Sequence, residues 1–391
     1  MKLVFVTEAR FIKDAKGNYY GESSFNFELW QRYLNSFSEV IVMARTKQEA
    51  NYIGTVSHLS SGKNVSFIEL PYFIGPWQFL KQQKLLNSKI TQSIKNIKAV
   101  FICRVPGTIG NIAIKYLCNA KIPFGVEVVG DPWDVFAPGS MKHPLRSYFR
   151  WRGYFNLKNN VSKASAALFV TAKKLQQRYP VSANVFQTEA SNVKINDTLI
   201  LEKAKSHIIK KQYTLLSVGS LSQMYKAPDV VLKAVKLLKD TGVYCKLIWL
   251  GDGFYKSLME SLAKDLDVFE QVDFMGNVSA GKVREHLLVS DIFVLASRTE
   301  GLPRAIIEAM AVGLPCVGTN VGGIPELLEN SALIVKNNPK ALADKIKKLI
   351  SESSYYNQQA TRNLLEAEKY KESILKKKRE DFYNYLIALN S

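Results

Sequence analysis

Residues 292–297, IFVLAS, and 315–319, PCVGT, are short apolar runs of β-forming character, and AIIEAMA between them has helical composition. Two strands joined through a helix run parallel, so this stretch predicts a β-loop-α-β unit. Pro303 suits the first helical turn, Gly313 the far cap and Pro315 the stop. The amides around Gly301, Leu302 and Arg304 then have no intrahelical partner, and the helix dipole adds partial positive charge, so they form a seat for a diphosphate. An anion held there gains up to ~2 kcal/mol when partly buried. Glu300 stands in the loop before the helix and Glu308 about two turns on. Carboxylates accept hydrogen bonds from hydroxyls, so a nucleotide sugar, with a hydroxylated ring on either side of a diphosphate, fits this spacing. Taken alone, such a pair reads more simply as solvated glutamates on a helix surface.

The same alternation of strand and helix runs through the whole chain. KLVFVT, EVIVMAR, SFIEL, AVFICRV, FGVEVVG and AALFVTA read as strands of a first half, with FNFELWQRYLNSF as a helix and ARFIKDAKGNYYGESS as a long functional loop. YTLLSVG, CKLIWLG, VDFMG, IFVLAS, PCVGT and ALIV repeat the pattern in a second half. The expected class is α/β, with two Rossmann-like doubly wound parallel-sheet domains. Ligands of such sheets bind beyond the carboxyl ends of the strands, where Glu8, Arg10, Arg45, Arg104, Glu127 and Asp131 fall in the first half. Glu8, Arg104, Glu127 and Asp131 are the candidate residues of one wall of a ligand cleft, for which the family resemblance given below implies acceptor binding, with Asp131 also a candidate for catalysis. Gly219, Ser220, Gly251, Gly253, Gly276 and Asn277 occupy the corresponding loops of the second half, where glycine allows backbone to approach a ligand closely.

Composition narrows the partners. The chain has 391 residues, 47% of them apolar, enough for two cores, and its apolar runs fall well short of the ~18 residues of a spanning helix. A net charge of +19 invites an anionic partner, and without a nucleic-acid motif the expected one is a membrane surface or a phosphorylated substrate. HPLRSYFRWRGYFNLK sets Tyr148, Trp151 and Phe155 at i, i+3 and i+7 among arginines, which suits a helix lying in a headgroup layer as well as it suits a packed helix with a basic outer face. His58, His143, His207 and His286 have no ligand spacing, Asp265 and Asp267 end a helical pattern, and four dispersed cysteines read as reduced, so no metal is expected.

From 215 to 328 the motifs LLSVGSLSQMYKAPDVVLKAV, LIWLGDGFYKSLME, VDFMGNVSAGKVREHLLVSDIFVLAS and SRTEGLPRAIIEAMAVGLPCVGTNVGGIPELL follow in order, the last carrying Glu-x7-Glu. Together they resemble the retaining glycosyltransferases of family 4, of GT-B fold and bacterial surface-polysaccharide type. The resemblance implies two domains facing each other across a cleft, with an acceptor domain at 1–190, a linker at 191–212, a donor domain at 213–370 and a last helix at 371–391 that returns to the first domain. It implies that Glu300 faces the donor sugar, Glu308 the ribose and Lys226 the diphosphate, with Gly301, Leu302, Pro303 and Arg304 completing the seat. Many relatives carry Arg after the first glycine of the donor domain and Gly after the lysine, where this chain has Ser220 and Ala227. Arg298 or Arg304 is the expected substitute cation. Many also carry a catalytic His where this chain has Val129, Gly130 and Asp131.

The implied activity is metal-independent transfer of a hexose-type sugar, with retention, from a nucleoside diphosphate to a hydroxyl of a lipid-linked saccharide. No cofactor is expected, and the expected place is the cytoplasm, at the inner face of the inner membrane. A nucleotide-sugar epimerase and a non-catalytic donor-binding subunit are the alternatives.

Overall fold

The structure, a computed structural model, describes residues 1–138, 140 and 143–391, the Ser23 side chain excepted. It divides into two compact units: 1–130 with 152–190 and 377–391, and 131–151 with 191–376.

The first unit is built on β1 (Lys2–Lys13), β2 (Tyr19–Tyr20), β3 (Glu39–Gln48), β4 (Val65–Leu70), β5 (Val100–Val105), β6 (Phe124–Val128), β7 (Ala166–Phe169) and β8 (Phe186–Glu189). Their order is β4-β3-β1-β5-β6-β7-β8, all parallel, with β2 folded back antiparallel on the end of β1. Strands buried on both faces read as continuous apolar runs, which is why LVFV and VFIC are so uniform. The segment after KLVFVT is not a loop throughout. After a register shift between Val6 and Arg10, residues 10–13 continue β1 and pair with β3. Arginine and lysine interrupt the apolar pattern there, so the hydrophobic signal ends before the strand does.

One face of this sheet is closed by the helix Phe27–Leu34 and by the last helix, Glu372–Asn390. Phe5, Trp30, Tyr33 and Tyr383 form an aromatic cluster, with centroids 5.5 Å apart for Phe5 and Trp30 and 5.4 Å for Tyr33 and Tyr383. Trp30 settles its indole N–H on Ser60 Oγ at 2.7 Å. Gly125 in β6 lets the last helix approach, since a Cβ there would stand 2.5 Å from Leu386 Cδ1 and 2.8 Å from Phe382 Cζ.

The second unit carries β9 (Tyr213–Val218), β10 (Cys245–Leu250), β11 (Val272–Gly276), β12 (Ile292–Leu295), β13 (Cys316–Thr319) and β14 (Leu333–Ile334) in one parallel sheet, order β11-β10-β9-β12-β13-β14. Its core includes Leu215, Leu247, Trp249, Val294 and Val317. The polar stretch 191–212 groups with this unit. Val193 and Ile195 are buried, Leu201 N bonds Ala311 O at 2.9 Å, and Lys205 Nζ donates to Leu287 O at 3.1 Å and Leu288 O at 2.6 Å. Expected as a linker, it instead packs on this unit, and Lys205 closes the end of the helix Ala280–Val289, where cations are favoured. No helix among the described residues is long and apolar enough to cross a membrane.

Gly125→Val should overpack the seam beneath the last helix and cost about 1–3 kcal/mol. The measurement is a urea unfolding curve whose midpoint falls while its slope is unchanged.

Candidate active site

The second sheet reverses its direction of growth between β9 and β12. Loops leaving two such neighbours diverge to opposite faces and open a crevice at their carboxyl ends, the usual ligand position of an open parallel sheet. Gly219 and Ser220 follow β9, and 297–304 follows β12.

Glu300 is a confined carboxylate there. Its Oε1 lies 2.6 Å from Lys226 Nζ and accepts the Ser297 hydroxyl at 2.6 Å, and its side chain is 8% exposed, that of Lys226 13%. The lysine stem lies across Gly219, where a Cβ would stand 2.8 Å from Lys226 Cγ. From β13, Thr319 Oγ1 donates to Ser297 O at 2.6 Å, and Gly323 N donates to Gly301 O at 2.6 Å. Gly322 has φ +53, and a Cβ on it would lie 2.0 Å from Glu300 O, so the loop after β13 is pressed against the Glu300 backbone. Ser297 was not assigned from the sequence, although it stands three residues before the Glu-x7-Glu motif.

The helix Arg304–Ala311 starts immediately beyond, with Pro303 at its N-cap position and not in its first turn. No side chain caps it, and the amides of Gly301 and Leu302 meet no acceptor among the described residues. The seat is therefore open. Glu308 is half-buried, and no described donor bonds its carboxylate. Burial pushes its pKa up, partly offset by the charge of Arg304. Arg304 itself is exposed.

The glycine loops pack beside this seat. Gly219 O accepts the Trp249 indole N–H at 2.9 Å, Gly251 N donates to Gly276 O at 2.8 Å, and Asn277 Oδ1 accepts Asp252 N at 3.2 Å. Gly253, at φ +151, would place a Cβ 2.1 Å from Ser222 N, so this loop and the one after β9 touch backbone to backbone. Ser220 Oγ accepts Ser222 N at 3.1 Å and bonds Ser222 Oγ at 3.0 Å, serving the turn where relatives place an arginine. Ala227 adopts φ +52, the left-handed conformation that glycine takes without penalty.

Arg298 is not free to replace that arginine. Its guanidinium bonds Asn337 Oδ1 at 2.8 Å, Met224 O at 2.6 Å and Asp229 Oδ2 at 2.7 Å. Arg304 remains as the candidate.

The proposed acceptor residues of the first half separate into two groups and one outlier. Glu8 accepts Ile109 N at 2.9 Å, filling the start of the helix Thr108–Asn119, and lies 3.5 Å from Arg45 NH2. Arg104 is instead the register partner of Glu127, with its guanidinium 5.1 Å over the Phe25 ring. Glu127 is 5% exposed and accepts the Tyr33 hydroxyl at 2.8 Å, beneath the last helix and Arg379, whose pKa burial pushes down to about 10. It is an interior group, not a wall residue. Asp131 groups with the second unit, is 4% exposed and accepts Trp133 N at 2.9 Å as the N-cap of the helix Pro132–Val135. That cap accounts for Asp131 better than contact with a reacting sugar does. Asp267 pairs with Lys239 at 2.8 Å, and no group of three or more His, Cys, Asp or Glu among the described residues is placed to hold a metal.

Two units, each built on a doubly wound parallel sheet, have the GT-B fold of glycosyltransferases. The chain belongs to the group 1 glycosyl transferases. The model for "Glycosyl transferases group 1" matches residues 200–364. Protein CapJ of Staphylococcus aureus is 30% identical over 372 residues, 94% of this chain and 90% of that one. The amylovoran biosynthesis glycosyltransferase AmsK of Erwinia amylovora is 31% identical over 166 residues, 40% of this chain and 38% of its own. In fold, sucrose-phosphate synthase from Thermosynechococcus elongatus superposes with a TM-score of 0.70 at 10% identity, over 100% of both chains. Anabaena HepE in complex with UDP-glucose gives 0.64 at 14% identity, over 100% of this chain and 99% of that one.

Because the folded pKa of Glu308 is raised, stability should fall as pH rises through the window between its unfolded and folded values. Glu308→Gln should therefore melt higher than the parent at neutral pH, with the gap closing in acid. If the carboxylate receives ligand hydroxyls, the same variant should bind nucleoside diphosphate about tenfold more weakly. Paired melting curves and calorimetric titration measure both.

Proposed function

We propose that the protein transfers a hexose-type sugar from a nucleoside diphosphate to a hydroxyl of a lipid-linked saccharide, retaining anomeric configuration, in the assembly of a bacterial surface polysaccharide. The observation that carries this reading is the open amide seat at Gly301 and Leu302 beside the locked Lys226 and Glu300. The diphosphate sits on the amides with Lys226 at its edge. Glu300 receives hydroxyls of the sugar and Glu308 those of the ribose. Resemblance to family 4 supports a front-face course. The bond from the anomeric carbon to phosphate oxygen breaks, the acceptor oxygen bonds the same carbon on the same face, and the departing phosphate takes the acceptor proton. Lys226 and the helix start stabilise charge as it grows on the leaving diphosphate, so no metal is required. Glu8 and Arg104 are the acceptor contacts of the first unit.

AmsK, a relative named for amylovoran biosynthesis, supports the assignment to polysaccharide assembly. HepE, a structural neighbour in complex with UDP-glucose, makes UDP-sugars the first donors to test. Glu300→Ala and Lys226→Ala should each lower transfer by ~10²–10³ while the fold persists. The assay is release of nucleoside diphosphate from UDP-sugars with a membrane extract as acceptor source. Release by the parent without any acceptor would favour an epimerase or hydrolase, and donor binding without release would favour a non-catalytic subunit.

The acceptor's lipid places the enzyme at a membrane surface. Tyr148, Trp151 and Phe155 share one face of the helix Arg146–Ser162 and are 55%, 51% and 58% exposed, while Leu157 and Val161 are buried. Trp77, on the helix Gly75–Asn96 near Lys81 and Lys84, is 78% exposed. Exposed aromatics among cations suit an anionic headgroup layer at the cytoplasmic face, each cation contributing ~1 kcal/mol. The protein should sediment with vesicles rich in phosphatidylglycerol, stay in the supernatant with phosphatidylcholine, and be released by salt.

A further inference from the structure

The missing phosphate arginine at Ser220 raises the question of what Arg298 does instead. It sits one residue beyond Ser297, and its partners lie far away in sequence. Its backbone N–H donates to Tyr225 O at 2.7 Å and its NH1 to Met224 O at 2.6 Å, so it takes the consecutive carbonyls that immediately precede Lys226. NH2 pairs with Asp229 Oδ2 at 2.7 Å, in the first turn of the helix Pro228–Asp240, and Nε with Asn337 Oδ1 at 2.8 Å. The Arg298 and Asp229 side chains are 14% and 21% exposed. The turn Met224–Lys226 has no side-chain cap of its own and ends at Ala227 in a left-handed conformation. What defines that turn is the planar fork of Arg298, whose fixed donor directions a lysine does not reproduce.

We infer that Arg298 is a positioning residue that acts through Lys226. It clamps the turn on both sides of the lysine and so sets where the ammonium stands relative to the open amides of Gly301 and Leu302. With Asp229 neutralising its charge, it holds the cation that meets phosphate without meeting phosphate itself. This rests on the proposed role of Lys226 as a diphosphate ligand.

A double-mutant cycle read by calorimetric titration with UDP, and with ADP and GDP in parallel, tests the clamp. Arg298→Ala should weaken the best-bound diphosphate about tenfold, and Lys226→Ala at least as much. The double variant should bind no more weakly than Lys226→Ala alone, because a residue that works only through the lysine has nothing left to position. Asp229→Asn, which keeps the shape and loosens the clamp, should reproduce part of the Arg298→Ala loss with little change in melting temperature. Additive losses would mean that Arg298 acts on the ligand directly and would overturn the clamp, as would unchanged affinity in Arg298→Ala. Absence of binding by the parent protein for all three diphosphates would overturn the donor-site reading together with the clamp.

Discussion

The hydrogen-bonded pair of Lys226 and Glu300 is the interaction around which the second unit is organised. Burying an ammonium and a carboxylate costs several kcal/mol per ion before their attraction is counted, and good geometry with further hydrogen bonds is needed to offset it. Ser297 supplies one such bond to Glu300. The backbone is braced from Thr319, Gly322 and Gly323 on one side and through Arg298 on the other. Such a pair is poor at maximising stability and good at holding two opposite charges in place before a ligand arrives. Preorganised charge of this kind is what a reaction that expels a diphosphate requires.

The two sheets make the same topological offer and answer it differently. Each reverses direction beside a central strand, at β1 and β5 in one and at β9 and β12 in the other, and each sets a helix start near the reversal. In the first unit Glu8 already occupies that start through Ile109 N. In the second, the amides of Gly301 and Leu302 have no such internal anion. One unit satisfies its helix start with its own carboxylate, and the other leaves amides without an acceptor among the described residues.

Much of this was legible beforehand. All six strands proposed for the second half are present, because strands buried on both faces write themselves as apolar runs bounded by glycine and polar residues. Glu300, Glu308 and Lys226 fall in one unit, and Lys226 and Glu300 meet at 2.6 Å. The readings that moved share a cause. Glu127 and Asp131 look like loop-end charges in sequence, yet one is held beneath a helix more than two hundred residues downstream and the other caps its own short helix. The stretch 191–212 reads as a linker, yet it packs on the second unit, where Lys205 ends a helix.

The amino-acid order alone determined the α/β class, the second sheet's strands and the uncapped helix start after Glu300, because each depends on residues near one another in the chain: apolar period, caps and turn residues. Only the tertiary structure decided which charges are spent. Whether a carboxylate or guanidinium faces a ligand, a helix terminus or another side chain depends on neighbours brought from distant segments, as Arg298 meets Met224, Asp229 and Asn337. Hydrogen bonds and ion pairs act over a few ångströms of space, and no pattern along the chain encodes which segments will supply those ångströms.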